Sequence, residues 1–107
     1  MLNNMTNVNI KRKNNQINKI VIKGHTGYDV IGHDIVCSSI SSIVTTTLNA
    51  IIRLNDKSIT HKESSGNVEI NILNHDEVID ILIDNMLDLL NSLSKQYPKN
   101  IKINEEV

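Results

Sequence analysis

Cysteine occurs once in the 107 residues, at Cys37, and His25 stands twelve residues before it. These two side chains suit nucleophilic catalysis: an imidazole within hydrogen-bond reach takes the thiol proton, and the thiolate attacks a carbonyl. Asp34 directly precedes a helical run and is expected to cap it, which puts Cys37 at the third helical position. There a thiolate would feel the free amides and the positive end of the helix. A lone cysteine on a helix more often means plain core packing, so on spacing alone the buried, inert reading is favoured and the catalytic one stays open.

Asp34 has a second conceivable role, orienting His25 as the third member of a triad. Capping is favoured, because a carboxylate beside the sulfur opposes thiolate formation. Ser41 lies one turn after Cys37 on the same helix face and either steadies the site or packs. His33 precedes Asp34 and reads as a solvated loop residue rather than a base. His61 and His75 have no partners at metal-ligand spacing, and zinc needs about four converging donors. No metal is expected.

The elements that must position these residues follow from periodicity. Residues 7–13 and 17–24 are strand-like, with Val8, Ile10, Ile20 and Ile22 alternating against polar neighbours. Asn14 and Asn15 supply the turn, since asparagine tolerates positive φ. Residues 24–34 hold Gly24, Gly27 and Gly32, three of the four glycines, and read as a loop. Over residues 27–32 it is expected to be a mobile flap, with Tyr28 as its anchor on a bound peptide. Residues 35–54 are rich in β-branched residues, yet Val36, Ile40, Val44, Leu48 and Ile51 recur at helical spacing. A second hairpin spans residues 58–73 around Ser64, Ser65 and Gly66. A leucine-rich helix follows, with Asn74 or Asp76 as its cap and Pro98 as its stop. A last strand is possible over residues 101–103. The order β-β-α-β-β-α, with a possible final β, implies an α+β fold: a small mixed or antiparallel sheet with both helices on one face. One domain is expected over residues 1–107, with residues 1–6 frayed and Met5 an alternative start.

Composition narrows the class. The chain lacks Trp and Phe, so its core must come from Ile, Leu and Val, and dimerisation would help so small a core. No signal pattern is seen, and by this reading no apolar run approaches the roughly 20 residues of a membrane span. A single cysteine forms no internal disulfide, which suits a reducing, cytoplasmic location. The net charge of −1 hides an asymmetry, with Lys11, Arg12, Lys13, Lys19 and Lys23 preceding the first acidic residue, Asp29. Without interleaved aromatics this basic hairpin reads as a solvated face, and no direct nucleic-acid binding is expected.

The segments Gly24-His25-Thr26-Gly27-Tyr28 and Gly32-His33-Asp34-Ile35-Val36-Cys37, with Ser41 after them, resemble the signature of the ribosomal-processing cysteine protease (Prp) family. The resemblance extends to the flanking hairpin, both helices and Gln96-Tyr97-Pro98. Two departures are mild: Ser38 and Ser39 stand where the family has small residues, and His33 where a non-histidine is common. The resemblance implies a homodimeric endopeptidase without cofactor or metal, which removes a short N-terminal extension from the large-subunit ribosomal protein numbered twenty-seven. It gives the catalytic roles to His25 and Cys37. The oxyanion donors are then expected from the backbone amides of Cys37 and Ser38. The alternatives are a non-enzymatic, ribosome-associated interaction module with an inert cysteine, and a peroxide reductase, for which the chain has no resolving cysteine.

Overall fold

The computed structural model describes residues 5–24, 33–64 and 66–106, without the side chains of residues 33 and 34. The chain begins with a hairpin, β1 (Thr6–Lys13) and β2 (Gln16–Lys23), joined by Asn14 and Asn15 at φ 54° and 64°. Two consecutive positive φ angles in a two-residue loop define the type I′ turn whose twist matches the strands. Helix α1 (His33–Leu54) follows, then a second hairpin, β3 (Ile59–Ser64) and β4 (Asn67–Ile72), helix α2 (Glu77–Gln96) and β5 (Ile101–Glu106).

The strands form one mixed sheet in the order β3-β4-β2-β1-β5, with β5 parallel to β1 and the other pairs antiparallel. Both crossovers, β2 through α1 to β3 and β4 through α2 to β5, therefore link parallel strands. They run in opposite directions along the sheet from oppositely directed strands. A right-handed path for each then puts both helices on the same face. Burial agrees: Val8, Ile10, Ile20, Ile22, Ile70 and Ile72 of the strands form one core with Val36, Ile40, Val44, Leu48 and Ile51 of α1 and the buried stripe of α2. The α+β architecture read from the sequence is the one observed.

Three differences, and the settling of one open choice, have physical causes. Thr6, read as part of a frayed tail, is fully buried in β1 and donates its amide to the Asn100 carbonyl at 2.8 Å. β5 runs to Glu106 because Asn104, Glu105 and Glu106 pair with Asn9, Ile10 and Lys11 of β1, a partnership that no local pattern encodes. Asp76, not Asn74, caps α2, accepting from the Ile79 amide at 2.9 Å. The segment Ile35–Leu54 also reaches the length and apolar character of a membrane span, against the sequence reading. Its serines and threonines are uncharged, so they leave the average high, while its apolar stripe packs on the sheet.

Candidate active site

β2 ends on a tightly held residue. Gly24 has φ 83°, donates its amide to the Gly66 carbonyl at 2.9 Å and accepts from the Thr6 hydroxyl at 3.5 Å. A Cβ there would lie 2.7 Å from the Met5 carbonyl oxygen. Only glycine fits this conformation and this approach. His25 is the next residue. With Gly27, Tyr28, Gly32 and the expected flap over residues 27–32, it lies outside the described residues.

Helix α1 already includes His33 as its first residue, so Asp34 is not the N-cap but sits inside the first turn. Cys37 is then the fifth helical residue rather than the third. In an α-helix the amides of residues beyond the first turn donate to carbonyls four residues back. The amides of Cys37 and Ser38 are thus engaged in the helix, which corrects the expectation that they serve an oxyanion. Cys37 is 2% exposed, and Val36 and Ile40 beside it are buried. Ser38 and Ser41 are both exposed, Ser38 beside α2 and Ser41 beside the sheet, and the Ser39 hydroxyl donates to the Ile35 carbonyl at 2.9 Å.

α1 meets the sheet around a small crevice of about 70 Å³. Ile22 of β2 and Val68 of β4 meet Ile40, Ser41 and Val44 of α1 there, with Glu63 at the edge. Ile22 is two residues before Gly24, and Ser41 is one turn after Cys37. Followed outward from this crevice, the end of β2 and the first turns of α1 head toward the same end of the molecule. The described end of β2, at Gly24, and the turn of α1 that holds Cys37 therefore lie toward one end of the sheet.

The other histidines stand apart. His61 is exposed on β3, and the His75 ring lies 2.9 Å from Asp80, a pairing the sequence reading missed because it spans a loop and a helix turn. Among the described residues no cluster of His, Cys, Asp or Glu suits a metal ion. On the far side of the sheet, the Asn71 amide and then Lys19 hold the Glu69 carboxyl below its ordinary range by favouring the carboxylate.

Comparison with known proteins points in one direction. The chain matches the model of the family described as cysteine protease Prp over residues 5–102. A ribosomal processing cysteine protease Prp of Staphylococcus aureus is 29% identical over 93 residues, which is 83% of this chain and 87% of that one. The S. aureus ribosomal processing protease solved with a substrate peptide superposes at a TM-score of 0.87 and 24% identity, covering 95% of this chain and 100% of that one. Its form with a covalently linked product peptide gives 0.85. A Streptococcus mutans protein gives 0.81 at 23% identity, over 94% of this chain and 93% of its own.

Proposed function

Because the chain belongs to the cysteine protease Prp family, we propose that it is the endopeptidase that removes an N-terminal extension from the large-subunit ribosomal protein numbered twenty-seven. The observation that carries this reading is the near-complete family match, coupled to the motif that brackets His25 and Cys37. The S. aureus relative, described as a ribosomal processing protease, holds a substrate peptide in one structure and a covalently linked product peptide in another. A covalent peptide adduct is the state that a thiol nucleophile would form.

In the proposed mechanism His25 takes the proton of Cys37 and the thiolate attacks the scissile carbonyl. The imidazolium gives its proton to the departing amine, leaving a thioester. Water, deprotonated by His25, then releases the acid and restores the thiol. The oxyanion donors come from outside the hydrogen-bonded ladder of α1, since the Cys37 and Ser38 amides are engaged there. With its sulfur this well covered, Cys37 reacts only when peptide binding displaces its cover. The same reading makes the enzyme cytoplasmic, where ribosomal proteins are assembled, and a homodimer.

The test is digestion of a synthetic peptide spanning the extension and the mature start of that ribosomal protein. Cys37→Ala should fold normally and lower cleavage by at least about 10³-fold, and His25→Ala by about 10²–10⁴-fold. His25→Ala should also slow alkylation of the thiol near pH 7. The burial of Cys37 favours one second reading, an interaction module with an inert thiol. No cleavage by the parent protein, with a thiol whose alkylation is indifferent to His25, would decide for that reading; full cleavage by pure Cys37→Ala would take Cys37 out of the chemistry.

A further inference from the structure

The sheet face turned away from the helices is a polar lattice that the fold assembles from all five strands. Strand register brings Lys11 opposite Lys19, Asn7 between Lys23 and Lys102, and Lys62 beside Glu69. Five lysines, Lys11, Lys19, Lys23, Lys62 and Lys102, stand on this face against two carboxylates, Glu69 and Glu106, in a chain whose net charge is −1. Among the described residues Lys19 is the one lysine of the five within ion-pair distance of a carboxylate, Glu69 at 3.4 Å, while Lys62 and Lys11 stand in register beside Glu69 and Glu106. Like charges directly opposed across strands, as at Lys11 and Lys19, oppose pairing. The acidic residues gather instead on α2, as Asp80, Asp84 and Asp88. The molecule is thus electrically two-sided.

We propose that this open face docks folded RNA through its phosphate backbone. Three features choose that occupant. The charge is complementary to phosphate, and the field of a one-signed face steers anions toward it. Asn7, Asn9, Asn67, Asn71 and Asn104 fill most of the remaining positions, and their amides donate to phosphate and both donate to and accept from the ribose 2′-hydroxyl. Val21 is the apolar residue at the centre, and among the described residues no aromatic joins it. A protein partner would need an apolar or aromatic anchor, and single-stranded RNA would need stacking platforms. A duplex read by its backbone needs neither. At about 4.8 Å between strands the lattice is roughly 19 Å wide, enough for several consecutive phosphates. The sequence argued against RNA because only the first hairpin was visibly basic and aromatics were missing. The fold adds Lys62 and Lys102 to the same face, and aromatics matter for stacking rather than for backbone contact.

Fluorescence anisotropy of a labelled RNA hairpin with a stem of about 20 base pairs tests the proposal, since that length exceeds the lattice. Affinity should fall by roughly 60-fold between 50 and 200 mM salt, a log–log slope of about −3. The variant Lys11→Gln/Lys62→Gln/Lys102→Gln should keep its circular dichroism and melting temperature, bind at least about tenfold more weakly and flatten the slope to near zero. The control Lys57→Gln/Lys95→Gln/Lys99→Gln, which removes the same charge from other surfaces, should bind like the parent. No binding at 50 mM salt, equal loss in both triple variants, or equal affinity for polyglutamate would each overturn the proposal. So would a change of oligomeric mass in the open-face variant, because the face would then belong to a second copy of the chain.

Discussion

Ser58 is fully buried where the chain enters β3, and its carbonyl accepts the amides of Leu73 at 2.7 Å and Asn74 at 3.2 Å. Its hydroxyl has no partner among the described residues. A buried hydroxyl without a hydrogen bond loses its hydration with nothing in return. Ser58→Ala leaves the backbone bonds in place and should stabilise the protein by about 1 kcal/mol, raising the melting temperature by about 4–8 °C; calorimetry showing a decrease would place an unseen partner on that oxygen. Nothing in the sequence betrays Ser58, since a serine before a strand ordinarily reads as turn chemistry. His25 and Cys37 stand out because an unusual motif frames them, whereas isolated Cys-to-His spacing carried little. The Asp34 cap failed for a different reason: helix entry is set by the backbone of the preceding residues, and a capping residue type one position inside the helix looks the same in sequence.

Gly24 shows what an element terminus demands. Its positive φ costs a substituted residue about 1 kcal/mol, and the 2.7 Å approach of an added Cβ to a backbone oxygen can be relieved only by moving β1 away from β2. Gly24→Ala should therefore cost about 2 kcal/mol or more and lower the melting temperature by roughly 10 °C. Thermal melts of the variant that overlay those of the parent would show that the hairpin end yields freely. The elements themselves were largely legible. The Asn14-Asn15 turn, the β1 and β2 alternation and the α2 stripe of Ile79, Ile83, Met86 and Leu90 are local patterns with one solution each. α1 needed arbitration, because its β-branched residues favour strand while their spacing favours helix, and length decided. Thr6 and residues 104–106 were not legible, since their strand character comes from pairing with one another's neighbourhoods across the chain.

At the scale of the whole molecule, the order β3-β4-β2-β1-β5 depends on which edges accept β3 and β5, a choice made by long-range packing rather than by local pattern. It leaves an outer helical surface with apolar residues that a monomer does not cover: Val78, Ile81 and Leu89 of α2 are 52%, 59% and 45% exposed. Leu89 borders an open groove of about 470 Å³ between the helices, whose α1 wall is Ser38, Ser39, Ser42 and Ile43. Small hydroxyl side chains on that wall let another surface approach closely, and the leucine offers an anchor of the kind that concentrates interface energy. If the proposed homodimer uses this surface, the parent should scatter light as twice 12.0 kDa at micromolar concentration. Leu89→Glu, which puts a charge where a desolvated contact is needed, should reduce that to a single 12.0 kDa chain without lowering the melting temperature measured at low concentration, because Leu89 lies outside the core. A parent that is already monomeric would remove the homodimer, and a dimer indifferent to Leu89→Glu would move its interface off the helical layer.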